Sequence, residues 1–169
     1  MTVSLGFATE ADIQSLLDLQ LAVDADQQRR FGTDRWSTTI TDRSIARGLK
    51  SSRVLIAKQQ ERIVGGLRMA TKKPWAIDLK YFTPVVKAVY LHDVNVDPRL
   101  QRTGIGRQLI ERAKIVAREW PVDAIRLDAF DGRSGGGPFY AKCGFTEVGR
   151  TVYRRVPLIY FECVLGEKE

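Results

Sequence analysis

Cysteine and histidine are almost missing from this chain. Cys143, Cys163 and His92 are the only residues of their kinds among 169, too few and too scattered for any usual zinc-ligand spacing. No metal is expected. Two cysteines without a disulfide-type pattern fit reduced thiols, and hence a cytoplasmic protein. No run of eighteen apolar residues occurs, which argues against a membrane-spanning helix. The opening MTVSLGFATEADIQ carries acids and lacks the basic-then-apolar order of a signal peptide. Repeats, low-complexity tracts and linkers are also absent, and 44% hydrophobic content over this length suits one domain spanning residues 1–169.

Acidic residues are in short supply. Lys and Arg number 27 against 20 Asp and Glu, a net charge of +7. From Asp97 to Arg155 there are twelve basic and seven acidic residues, so most of the excess lies in the C-terminal half. A nucleic-acid surface, a polyanionic small molecule or plain solubility would each account for it. No basic run interleaved with aromatics is present, which counts against nucleic acid.

The hydrophobic pattern alternates between strand and helix. Val3–Ala8 reads as a strand, and Thr9 with Asp12 as a capping pair for a helix whose apolar face runs to about Val23. The polar DADQQRRFGTDRW then breaks the pattern, suggesting a loop or irregular helix. A second helix is expected between about Thr39 and Leu49. RVLIAKQ and RIVGGLRMAT read as a hairpin joined through Gln59–Glu61. KKPWAIDLKYFTPVVKA resists assignment, because Pro74 and Pro84 interrupt it. VYLHDVNVD is a strand whose strict alternation would put Tyr90, His92, Val94 and Val96 on one face and Leu91, Asp93 and Asn95 on the other. Ile105, Leu109, Ile110, Ala113, Val116 and Ala117 then keep helical spacing until Trp120–Pro121. AIRLDAF is a strand, PFYAKCG a short helix, and FTEVGRTVYR and VPLIYFECVL a final strand pair. The order implies a mixed α/β (α+β) fold around one sheet.

Two glycine-rich stretches compete as anion sites. Gln101-Arg102-Thr103-Gly104-Ile105-Gly106 lies between a strand and a long amphipathic helix, where unsatisfied first-turn N–H groups can meet phosphate oxygens. Arg102 and Arg107 add charge. Neither a Walker loop nor the dinucleotide fingerprint fits the spacing, and a tight turn that merely starts a helix fits as well. The second stretch, Asp131–Pro138, contains three consecutive glycines.

VNVDPRLQRTGIGRQLI, a strand, and then PFYAKCGF resemble the GNAT superfamily of acetyl-CoA-dependent N-acetyltransferases. The likeness is specific over Tyr90–Leu109 and Phe139–Phe145, and the element order extends it over nearly the whole chain. It implies a mixed, mostly antiparallel sheet of about six or seven strands flanked by about four helices. It implies that Gln101, Arg102, Thr103, Gly104, Ile105, Gly106 and Arg107 hold the diphosphate of coenzyme A. Val94, Asn95 and Val96, on a strand that splays from its neighbour, would hold the pantetheine arm, and Phe139 and Tyr140 would adjoin it. The triple glycine then reads as a connector, a flexible entry to the Phe139–Cys143 helix, with contact to the ligand through Arg133 or Ser134 as the alternative. An Asn usual in the family ahead of the F-Y pair is missing here.

Acetyl transfer to an amine requires a neutral amine, a stabilised oxyanion and a thiolate that can leave. The resemblance assigns the thiolate to Tyr140 and offers the backbone N–H of Val94 or Asn95 to the oxyanion. Asp93 and His92 are the candidate bases, with a water chain or Asp78 as alternatives; a lone histidine more often packs than reacts. Cys143 has no visible base, which disfavours a covalent route. The acceptor would be a primary amine of a small molecule or peptide. Asp24, Asp26, Asp34 and Asp78 are candidates for receiving it, with Arg29, Arg30 and Arg35 for a carboxylate. Transfer of another acyl group, or acyl-CoA sensing without transfer, would use the same turn. The long apolar VPLIYFECVL suggests a homodimer.

Overall fold

The computed structural model describes residues 2–32 and 40–166. Seven strands form one sheet in the order β1-β2-β3-β4-β5-β7-β6. They are β1 (Ser4–Phe7), β2 (Arg53–Gln59), β3 (Arg62–Ala70), β4 (Ala88–Val96), β5 (Ala124–Phe130), β6 (Thr146–Tyr153) and β7 (Val156–Val164). Every pairing is antiparallel except β4 with β5. Four helices flank the sheet: α1 (Ile13–Phe31), α2 (Asp42–Ser51), α3 (Ile105–Glu119) and α4 (Gly137–Lys142). Among the described residues no helix is long and apolar enough to cross a membrane.

The sequence periodicity explains which face each helix buries. All six apolar residues at helical spacing in α3 are buried, against Leu55, Val64, Leu67, Val89 and Leu127 of the sheet. Leu16, Leu19 and Val23 of α1 join Ile45 of α2 over Ile56 and Ile63 on the opposite face. Tyr90, Leu158 and Tyr160 gather a third cluster with Ile77 and Phe82, which seats the stretch that resisted assignment. Trp75, by contrast, is exposed to solvent.

Several expectations need correction. The polar stretch after Val23 does not break the helix: α1 runs on to Phe31, where Gly32 ends it at φ +66°. Ion pairs from Asp26 to Arg29 and Arg30, three and four residues on, support that segment. Thr9 and Asp12 do form the capping box, but over a 3₁₀ turn (Glu10–Asp12) that leads into α1. The second helix starts later than expected, at Asp42 behind its cap Thr41; Thr39, Asp34 and Arg35 lie outside the described residues. The β2–β3 hairpin turns on Gln60 and Glu61 alone, both at positive φ (48° and 65°). The apolar VPLIYFECVL stretch forms β7, which lies between β5 and β6 and buries Leu158–Phe161 within the chain.

The two faces of β4 differ from strict alternation. Asp93 sits at φ +54°, and the register against β3 slips between Gly66 and Arg68. This bulge shifts the phase by one residue. Val94 and Val96 therefore pack with Leu91 and Val89 in the α3 core, not with Tyr90.

Candidate active site

The parallel ladder between β4 and β5 is short, covering only Ala88–Tyr90 and Ala124–Arg126. Beyond it β4 stays with β3 and β5 stays with β7, so the two strands part into a wedge. The closed end is pinned by buried Arg126. Its guanidinium donates to Glu162 Oε2 (3.2 Å), to the Tyr90 hydroxyl (3.3 Å) and to the Thr83 carbonyl (2.7 Å). Thr83 N–H in turn donates to Glu162 Oε1 at 3.2 Å. Both charges of this pair are buried and fully partnered, which makes the last paired rung a rigid pivot.

A cavity of about 260 Å³ fills the wedge, lined by His92, Asp93, Val94 and Asn95 of β4, Leu127, Asp128 and Phe130 of β5, and Tyr140 of α4. Gln20, Val23, Asp24 and Gln27 of α1 face the same cavity. Tyr140 is held by the rings of Phe139, Phe145 and Phe161, with centroids 5.3, 6.0 and 5.8 Å away. Its hydroxyl has no hydrogen-bond partner among the described residues. Burial drives its pKa upward, and the charges of Asp128, Cys143 and Asp93 push in the same direction. It stays protonated at neutral pH.

The two candidate bases on β4 differ. Burial, and then the charge of Arg68, push His92 down to about 4, so its imidazole is neutral at pH 7 and a weak base. Asp93 is exposed, and its Oδ2 accepts from Arg68 Nε at 3.1 Å. Asp78 does not line the wedge cavity; its carboxylate caps the turn at Lys80. Sequence reasoning missed Asp128. It is half-buried in the wedge, and burial raises its pKa. The signal was its place in AIRLDAF, where Leu127 and Ala129 face the α3 core and leave Asp128 on the other side.

Beside β4, the turn Gln101–Gly104 opens α3. Arg102 and Gly104 take left-handed conformations at φ +63° and +94°. A Cβ on Gly104 would meet no protein atom within 4 Å, so within the chain it is the backbone conformation that calls for glycine here. Gly106 differs: a Cβ there would stand 3.1 Å from the Phe139 ring, so this glycine lets α4 close on α3. The N–H groups of Ile105, Gly106 and Arg107 have no protein acceptor among the described residues; the first helical bond is from Gln108 to Gly104. Arg102 and Arg107 are exposed beside them and have no ion pair among the described residues, whereas Arg99 is engaged by buried Asp97. Gln101 Nε2 reaches the Val96 carbonyl (3.4 Å) and Thr103 Oγ1 that of Leu100, bracing the turn.

The triple glycine is part of a turn ahead of α4. Gly135 N–H donates to Gly132 O at 3.0 Å, and a Cβ on Gly135 would stand 1.8 Å from the Phe130 carbonyl oxygen. Only glycine allows that approach, and the turn delivers α4 with Tyr140 to the wedge. Arg133 is exposed and Ser134 half-buried.

A model of the acetyltransferase (GNAT) family matches residues 19–145. No curated protein matches the sequence. Several solved structures share the fold. A ribosomal-protein-alanine N-acetyltransferase from Brucella melitensis superposes with a TM-score of 0.71 at 21% identity, covering 96% of this chain and 99% of that one. The yncA protein of Salmonella typhimurium, solved with its cofactor acetyl-CoA, gives 0.69 at 19% identity, with 100% and 97% covered. Aminoglycoside 6'-acetyltransferase type Ii gives 0.71 at 13%, with 98% and 99% covered.

Proposed function

Because this chain belongs to the GNAT acetyltransferase family, we propose that it transfers the acetyl group of acetyl-CoA directly to a primary amine. The observation that carries this reading is the wedge itself: a cavity between parted strands, Tyr140 within it and unsatisfied α3 amides beside it. The residues present fit the donor. Ile105, Gly106 and Arg107 offer N–H groups to a diphosphate, and Arg102 and Arg107 offer charge. The unpaired edge of β4 at Val94–Val96 offers amide groups to the pantetheine arm, with Arg133 as a further contact. When bound, acetyl-CoA supplies an activated acyl group on a thiol whose pKa is roughly 8.5 if it behaves like free cysteine.

The chain's own residues supply the remainder. Asp128 takes the proton from the incoming ammonium, because its raised proton affinity makes it a better base than an ordinary carboxylate. Asp93 is the second choice and is tied to Arg68; neutral His92 is the weakest. The backbone N–H of Val94 or Asn95 receives the carbonyl oxygen. Tyr140 donates a hydrogen bond to the sulfur as charge gathers there. Its pKa lies above that of a thiol, so it keeps its proton while the C–S bond breaks and the thiolate leaves.

The test is release of free thiol on mixing the protein with acetyl-CoA and a panel of amines. Asp128→Asn should lower the turnover number at least about a hundredfold and remove the acid limb of the pH profile. An unchanged acid limb would assign the base elsewhere. Binding of acetyl-CoA without thiol release from any amine would favour a sensing role over transfer.

A further inference from the structure

We infer that the acceptor is an amino acid or close relative, its amine toward Asp128 and its carboxylate on Arg68. This rests on the acetyltransferase reading above. A second cavity, of about 320 Å³, lies between α1, α2 and strands β2–β4. It shares Gln20, Ile40, Asp93 and Asn95 with the wedge cavity, so the two adjoin. Cavities of this size suit small molecules.

The charges along this path have a direction. At the wedge end stand Asp128 and Tyr140, with His92 neutral. At the far end stand Arg47 and Arg68, outnumbering Asp93. Arg68 is half-buried and spends only its Nε on Asp93. Its two terminal nitrogens have no acceptor among the described residues, and that pair of N–H groups matches a carboxylate. Arg47 is exposed and has no ion pair among the described residues.

The seat of Arg68 is built into α2. A Cβ on Gly48 would stand 3.0 Å from Arg68 Cδ and 3.6 Å from its Nε. Glycine inside a helix is less favourable than alanine. At Gly48 that loss leaves the space in which the arginine stem lies. A polycationic acceptor would bring positive charge against Arg47 and Arg68, whereas a zwitterion meets opposite charge at both ends.

The experiment pairs each protein amino acid with its decarboxylated amine and compares kcat/KM for thiol release from acetyl-CoA. Acetyl-CoA binding is measured separately by calorimetry. The best amino acid should exceed its amine by at least about thirtyfold, and Arg68→Met should shrink that ratio roughly tenfold or more, chiefly through KM, while acetyl-CoA still binds. Amines used as well as their acids, a ratio that Arg68→Met leaves alone, or no thiol release despite acetyl-CoA binding would each overturn the inference. The wild-type ratio needs no variant, so a poorly folded Arg68→Met would not shield it. Wild-type protein that fails to bind acetyl-CoA would instead bring down the acetyltransferase reading, and this inference with it.

Discussion

Replacing Tyr140 with phenylalanine removes one oxygen atom and little else. The ring would keep its contacts with Phe139, Phe145 and Phe161. Since the hydroxyl has no partner among the described residues, its loss strands no buried donor or acceptor. Stability should therefore change by no more than about 0.5 kcal/mol, as for a substitution that breaks no contact. Turnover should behave differently. A single preorganised donor to a developing negative charge contributes about 2.7–4 kcal/mol, or roughly a hundred- to a thousandfold in kcat. The assay is initial-rate thiol release over a pH series, with urea unfolding and an acetyl-CoA titration on the same preparation. The variant should lose rate, keep its unfolding midpoint and keep its affinity for acetyl-CoA. Because burial holds the hydroxyl protonated through neutral pH, the basic limb of the profile should not move. A kcat within about threefold of wild type would remove Tyr140 from the chemistry, and a matching fall in stability would make it a packing residue.

Three further outcomes follow from particular residues. Gly104→Val forces a β-branched side chain to φ +94°; with no atom nearby to clash, the loss of stability should be about 1–2 kcal/mol. Through displaced α3 amides it should also weaken acetyl-CoA binding at least about tenfold by calorimetry, equivalent to roughly 1.4 kcal/mol. Arg126→Met leaves Glu162 charged and buried, so urea unfolding should show a loss of about 3–5 kcal/mol, most of it recovered in the Arg126→Met/Glu162→Met double variant. His92 titrates near 4 in the folded protein against 6.5 normally, so between those values the unfolded chain binds more protons and stability falls as pH drops. His92→Gln should flatten that part of the stability–pH curve by up to about 3 kcal/mol, and an unaltered slope would contradict the buried neutral imidazole.

What could be read from the sequence was what local pattern determines. The α3 stripe from Ile105 to Ala117 and the Thr9–Asp12 cap were legible because spacing alone specifies them. The helical run from Asp24 to Phe31 was obscured by its polarity, although Asp26, Arg29 and Arg30 carried the ion-pair spacing that supports it. The phase of β4 was not legible at all. It depends on a bulge at Asp93 that answers to a register slip on β3, about twenty-five residues away. Asp128 was one acid among many until the parting of β4 and β5 buried it. The triple glycine looked mobile in composition, yet the Phe130 carbonyl leaves no room for a side chain at Gly135.

The most direct test of the central claim is amide NMR of ¹⁵N-labelled protein titrated with coenzyme A. The N–H signals of Ile105, Gly106 and Arg107 should shift most and move downfield together, as free donors acquire phosphate acceptors. Saturable binding that leaves those three signals in place, or no binding at all, would contradict the account.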